Sequence, residues 1–228
     1  MKEKLQSILK VLTLAERLKF ELRHSYTSNG RQESVAEHTG RMSLMAVLIE
    51  PLLTKKVDIA RLLKMIIIHD LVEAEASDVS ALDILRNPEI KIQKIEREKR
   101  AIENLKESLI NVNGQEIFEL FYEFEDKVTY ESKVANAFDK LEVQLQHNHA
   151  DISTWEEIEY GMSFMMDKYE FDETISLLRQ LIEDNADVKM INGLPNISTT
   201  FKLRILCKVL LDVRGSNCKK YSKTTHYT

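Results

Sequence analysis

Apolar residues recur along this chain at spacings of three and four over most of its length, the period of helices that bury one face. Over residues 3–21 the stripe Leu5, Ile8, Leu9, Leu12, Ala15 and Leu18 predicts a helix docked on a core. The polar run from His24 to Gln32 breaks the period and predicts a loop. Ser34-Val35-Ala36-Glu37 has the form of a capping box, in which Ser34 accepts from the amide three residues on and Glu37 reaches back to the Ser34 amide. A helix starting there puts His38 in line with Met42, Met45 and Ile49. Pro51 falls near its end, and Asp58 opens the next periodic run, Ile59, Leu62, Leu63, Ile66 and Ile67. That run delivers His69 and Asp70, followed by the acidic turn of Glu73, Glu75 and Asp78.

Residues 87–109 are densely charged around a narrow stripe of Ile92, Ile95, Ala101, Ile102 and Leu105, the pattern of a solvated helix laced by opposite-charge pairs. Asn113-Gly114 marks a turn before an apolar segment around Ile117, Phe118, Leu120 and Phe121. A helix from Tyr130 to about His147 carries Val134, Ala137, Phe138, Leu141 and Leu145 on its apolar side, with Asp139 among them. His147 and His149, two apart, do not share a helical face. Ile175, Leu178, Leu181 and Ile182 form one more stripe, Asn192-Gly193-Leu194-Pro195-Asn196 a turn, and Phe201–Val213 a final helix. No repeat or low-complexity linker divides the chain. The expected architecture is therefore all-α, a single compact multi-helix domain over 1–213 with a frayed polar tail over 214–228.

Composition narrows the picture. Six Gly and three Pro in 228 residues supply too few turns for a many-stranded sandwich or barrel. A net charge of −5 provides no basic face for a long nucleic acid, so an anionic ligand would be small and would be received by a metal or a few arginines. Cys207 and Cys218 lie outside any disulfide framework or zinc spacing and read as free thiols in a reducing cytoplasm. Met1-Lys2-Glu3-Lys4 runs straight into a charged amphipathic segment, so neither a signal peptide nor a membrane span is expected.

Charge in apolar surroundings picks out the candidate chemistry. His69 and Asp70 end a run apolar enough to be buried, where a charge must be paired or must hold a cation. If the helix runs on through Glu73, then His69, Asp70 and Glu73 lie on one surface. Each candidate also has an ordinary structural account. An adjacent His-Asp can be a simple pair, His38 a core imidazole bonded to backbone, and Asp139 a carboxylate paired with Lys140 or Lys133.

Taken together, His38, then His69-Asp70, then Asp139, each on a different predicted helix, resemble the HD-domain metal-dependent phosphohydrolase superfamily. Arg31-Gln32-Glu33-Ser34-Val35-Ala36-Glu37-His38 and Ile68-His69-Asp70-Leu71-Val72-Glu73-Ala74-Glu75-Ala76-Ser77-Asp78 are similar to the branch containing HD-domain 5′-deoxynucleotidases. Asn136-Ala137-Phe138-Asp139-Lys140-Leu141-Glu142 resembles that branch's third motif, and the likeness spans residues 5–185. Imidazole nitrogens and carboxylate oxygens from His38, His69, Asp70 and Asp139 suit a divalent metal ion, among Mn, Co, Fe, Ni, Zn and Mg.

The resemblance implies an HD-domain helical bundle that hydrolyses (deoxy)nucleoside 5′-monophosphates to nucleoside and phosphate. Glu73 would orient the attacking water or take its proton, and Asp78 would meet the sugar hydroxyl. The family's phosphate-binding arginine is best matched by Arg23 in Leu22-Arg23-His24-Ser25-Tyr26. The familiar Arg-Trp pair is absent, and Tyr26 stands as the aromatic surface; Arg31 and Arg41 are substitutes for Arg23, Arg41 being equally readable as a helix-surface residue. The same motifs leave open a nucleoside triphosphate or alarmone pyrophosphate substrate, and a non-catalytic nucleotide-binding protein, against which an intact Glu73 argues. Self-association as a homodimer through an apolar helix face is a further expectation, as in related proteins.

Overall fold

The computed structural model describes residues 1–156, 158–162 and 170–193. The chain enters through α1 (Lys2–Ala15) and a 3₁₀ turn at Glu16–Lys19, then forms β1 (Leu22–Tyr26) and β2 (Gln32–Ser34). Helices follow: α2 (Val35–Ile49), α3 (Ile59–His69), α4 (Glu73–Ala76), α5 (Ala81–Arg86), α6 (Pro88–Ser108), α7 (Gly114–Asp126), α8 (Tyr130–His149), α9 (Glu159–Met162) and α10 (Glu173–Gly193). Their starts are fixed by local chemistry. Ser34 and Glu37 form the expected capping box on α2, Asp58 accepts from the Arg61 amide at 3.0 Å, and Thr129 accepts from the Ser132 amide at 3.1 Å.

The main core lies where α2, α3, α7, α8 and α10 meet, with Met42, Leu62, Met65, Ile66, Phe138, Leu141 and Ile175 buried in it. A second apolar cluster, including Val35, Val72, Ala101, Ile102, Leu105 and Phe121, joins α4 and α6 to α7. The candidate residues lie on or beside α2, α3, α4 and α8, each of which contributes to one or both clusters.

Several expectations change. The polar run read as a loop is a hairpin: β1 pairs antiparallel with β2, Leu22 opposite Ser34 and Tyr26 opposite Gln32. Thr27 donates its amide to the Arg31 carbonyl at 2.7 Å, and Gly30 takes a left-handed φ of 85° to close the turn. A three-residue strand is too short to display the alternation that identifies strands. In α1 the inward face is Ile8, Val11, Leu14 and Ala15, while Leu5, Leu9 and Leu12 are exposed. With apolar residues on both sides of one helix, spacing alone did not choose the buried stripe.

The helix carrying His69 does not continue to Glu73. Asp70 caps α3, and tighter bonds follow, Leu71 N–H to Ile68 O at 3.1 Å and Glu73 N–H to Asp70 O at 3.0 Å. Such three-residue turns stack positions i and i+3, so Asp70 and Glu73 still share a face. The segment around Ile117–Phe121 is part of α7, and Leu181 of the last stripe is exposed while Ile175 and Ile182 are buried. The expected domain limit at 213, the helix over 201–213, the tail over 214–228, Cys207, Cys218 and positions 194–196 of the expected turn fall outside the described residues. Among the described residues no helix is long and apolar enough to cross a membrane.

Candidate metal centre

The inward faces of α2, α3 and α8 bring His38, His69 and Asp139 together, with one ligand atom of each within 4.8 Å of the others. His38 Nε2 is 3.2 Å from Asp139 Oδ1 and 3.9 Å from Asp70 Oδ2, and His69 Nε2 is 3.0 Å from Asp70 Oδ1. All four side chains are buried. The ordinary pairing of Asp139 with Lys140 is also present, at 2.8 Å, but uses Oδ2 and leaves Oδ1 facing His38.

Both imidazoles are turned by their neighbours. His69 Nδ1–H donates to the Ile66 carbonyl at 2.6 Å, and its ring stacks on Phe124 with centroids 4.2 Å apart. That leaves His69 Nε2 as a buried nitrogen aimed into the cluster with no hydrogen-bond partner. His38 Nδ1 is held by Glu142, so its Nε2 also points inward. Thr39 Oγ1–H donates to Asp70 Oδ2 at 2.6 Å and fixes that carboxylate. Two inward imidazole nitrogens and two fixed carboxylates fit a divalent ion, and the orphaned Nε2 gives the cluster an atom that such an ion would satisfy.

The electrostatics agree. Burial and Arg23 oppose charge on His38, yet Asp139, Glu142 and Asp70 override them and raise its pKa to about 10. Burial works against ionisation of Asp70 and Asp139 as well, but His69 and His38 hold Asp70 low, and Lys140 and His38 hold Asp139 low. The cluster thus keeps its carboxylates ionised and draws a proton onto an imidazole, the behaviour of a site short of positive charge. Glu73, also buried, goes the other way: burial, then Asp70 and Asp78, push its pKa well up. One of its oxygens, Oε2, is buried without a partner.

Of the remaining expected residues, Arg23 lies within the field of the cluster's carboxylates. Although burial opposes its charge, the fields of Asp70, Asp78, Asp139 and Glu73 hold it firmly protonated. Its Nε is buried, 3.8 Å from Glu33 Oε2 and without a hydrogen bond. Asp78 is half-buried beyond α4, its amide donating to Glu21 Oε1 at 2.9 Å, and its charge reaches both Arg23 and Glu73. Tyr26 is half-buried at the far end of β1, with its carbonyl accepting from Gln146. The two substitute arginines are engaged elsewhere, Arg31 with the exposed Glu37 and Arg41 with Glu142.

Glu142 has no role in the sequence reading beyond its place at the end of the third motif. It is wholly buried, one oxygen on His38 Nδ1 and the other accepting from Arg41 Nε at 2.6 Å. Its signal was its place three residues after Asp139, on the same row of α8 and beside the apolar Leu141. Glu33, Glu142 and His38 form a second acidic group, but Arg41 and Arg23 already supply its positive charge, so a cation belongs on the Nε2 side of His38. Carboxylates that hold a metal-ligating imidazole are worth about 10- to 100-fold in metal affinity. Glu142→Gln is expected to lose that much in a metal titration, and an unchanged affinity would remove Glu142 from the site.

The sequence profile of the HD domain family matches residues 15–178. The 5′-deoxynucleotidase HDDC2 of Dictyostelium discoideum is 30% identical over 149 residues, covering 62% of this chain and 76% of that protein. The 5′-deoxynucleotidase HDDC2 of Danio rerio is 29% identical over 168 residues, covering 71% and 78%. A predicted metal-dependent phosphohydrolase from Magnetospirillum magnetotacticum superposes with a TM-score of 0.69 at 24% identity, covering 82% of this chain and 97% of that one, which shows the shared fold. With a converging His, His-Asp and Asp set inside the matched span, and a relative covered over 76% of its length, the chain belongs to the HD domain family.

Proposed function

We propose that this chain is a metal-dependent nucleotide phosphohydrolase that cleaves nucleoside 5′-monophosphates, deoxynucleotides first, to nucleoside and phosphate. The observation that carries the reading is His69 Nε2, buried without a hydrogen-bond partner and facing Asp70 while its other nitrogen is locked on Ile66. The HDDC2 relatives are named for the same activity. In this reading His38, His69, Asp70 and Asp139 hold a divalent ion, with Mn, Co, Fe, Ni, Zn and Mg as the candidates. Such an ion supplies Lewis acidity at the phosphoryl group and lowers the pKa of water.

The protein's own residues do the rest. Arg23 offers a planar fork for two phosphoryl oxygens and offsets the charge of the carboxylates around it. Glu73, with its buried and unpartnered Oε2 and a pKa raised by burial, Asp70 and Asp78, accepts a proton from the attacking water. Asp78, at the outer edge of the same charged group, accepts from a sugar hydroxyl. In the same reading Tyr26, at the far end of β1, supplies aromatic surface. Self-association belongs to the same reading, since Leu44, Val47, Leu48 and Leu52 leave an exposed apolar face on α2 and the turn after it, and sedimentation of the purified chain tests it.

The test is phosphate release from deoxy- and ribonucleoside 5′-monophosphates by chelator-stripped protein reloaded with single metals. Turnover is expected only with metal and higher for deoxynucleotides. Asp78→Ala is expected to lower kcat/KM for the deoxy substrates about tenfold or more, the scale of a hydrogen bond to a charged group, and to shrink the deoxy preference. Release of pyrophosphate from larger nucleotides, with none of phosphate from monophosphates, would contradict the reading.

A further inference from the structure

Residues 87–109 read as a solvated helix, and the outer faces of α6 are one. Ile92 and Ile95, expected on its apolar stripe, are exposed, whereas Ala101, Ile102 and Leu105 are buried in the second cluster. Continued back along the helix, the inward row carries Glu98 and Lys94. It turns from apolar to charged where α6 packs on α4, the element that carries Glu73. Lys94 Nζ lies 3.6 Å from Glu73 Oε1 and 3.4 Å from Glu98 Oε1, with 22% of its side chain exposed. Its charge is felt by Glu73, Glu98 and Asp78, and by Lys140 as repulsion.

A lysine serving only the stability of α6 would pair with Glu98 one turn on and stay in water, where such pairs form at little cost. Lys94 instead gives up hydration to reach a buried carboxylate on another element, and ordering a long side chain there is costly. The site gives a reason. An incoming phosphate dianion meets Asp70, Glu73, Asp78 and Asp139 and needs cations from more than one side. Arg23 approaches from β1, and Lys140, on α8, is bound to Asp139. Lys94 comes from α6. A guanidinium offers a fixed fork, whereas an ammonium on a flexible stem can leave one acceptor for another.

We propose that Lys94 is a phosphate-contacting residue: it rests between Glu73 and Glu98 in the free enzyme and moves its ammonium onto a phosphoryl oxygen when substrate enters. The move releases Glu73 Oε1 to accept from water. This inference rests on the phosphohydrolase reading above.

The probe is inorganic phosphate, titrated by calorimetry into metal-loaded wild type, Lys94→Met, Lys94→Arg and Lys91→Met, with steady-state kinetics alongside. Lys94→Met is expected to weaken phosphate binding about tenfold or more and to raise KM for the nucleotide, the scale of one charge-assisted hydrogen bond. Lys94→Arg keeps most of the affinity. Lys91→Met removes an exposed charge from the same helix and changes neither quantity. Unchanged phosphate affinity in folded Lys94→Met, with kcat alone reduced, would leave Lys94 as a support for Glu73 and overturn the inference. If the methionine variant does not fold, Lys94→Gln takes its place with the same expectation. Wild type that binds phosphate but releases none from any nucleotide would contradict the phosphohydrolase reading instead, while the comparison of phosphate affinities still decides the role of Lys94.

Discussion

Asp70→Asn is expected to remove metal binding and turnover together. Asp70 lies against both imidazoles, 3.0 Å from His69 Nε2 and 3.9 Å from His38 Nε2, and its other support is the Thr39 hydroxyl. Asparagine keeps the volume, removes the charge, and can present an amide donor where the cation would sit. Lewis-acid stabilisation of a phosphoryl group amounts to several kcal/mol, so phosphate release should fall on the order of a thousandfold. Thermal melting gives a second readout. Free metal at about 100 times its Kd stabilises the wild type by about 2.7 kcal/mol, roughly 5–10 °C for a chain of this size, and should leave the variant's Tm unmoved. A variant that keeps the metal-dependent Tm shift and turns over within tenfold of wild type would place the ion elsewhere.

Glu73→Gln should separate binding from chemistry. The glutamate's ion pair is to Lys94 on α6 and not to either imidazole, so metal affinity should change little while kcat falls about 10²- to 10⁴-fold, the range for loss of a positioned base. Its pKa also makes a stability claim. Burial, Asp70 and Asp78 raise it above the ordinary 4.5, so the folded chain holds this proton more tightly than the unfolded one. Stability from that group is complete below pH 4.5 and is lost as pH rises through the folded value. The glutamine variant has no such loss. Chelated Glu73→Gln should therefore be more stable than chelated wild type at pH 8, with the difference vanishing in acid. Equal stability across that range would mean that Glu73 is not strained by its neighbours.

Much of this was legible in the sequence for one physical reason, that charged residues in apolar stripes are costly and stand out. His38, in line with Met42 and Met45, could be placed inward from spacing, whereas Asp139, beside Val134, Phe138 and Leu141, read on spacing alone as a surface carboxylate paired with lysine, and the order of the motifs drew it into the set. His69-Asp70 followed from the apolar run before it. What spacing could not give were contacts between elements. Glu142 looks like any helical glutamate until α2 brings His38 and Arg41 to it. Lys94 sits in a helix so densely charged that no periodic signal separates it from its exposed neighbours. Arg23 was proposed by resemblance to a motif, and the hairpin that carries it gave no signal because β2 is only three residues long. Composition carries no trace of a strand that short.

The most direct test of the central claim is a crystal structure of the cobalt-loaded chain with anomalous difference density. The account predicts one peak about 2.0–2.2 Å from the inward nitrogens of His38 and His69 and from carboxylate oxygens of Asp70 and Asp139, the distances of first-row metal coordination. A peak between Glu33, His38 and Glu142, or no peak in fully metal-dependent enzyme crystals, would contradict it.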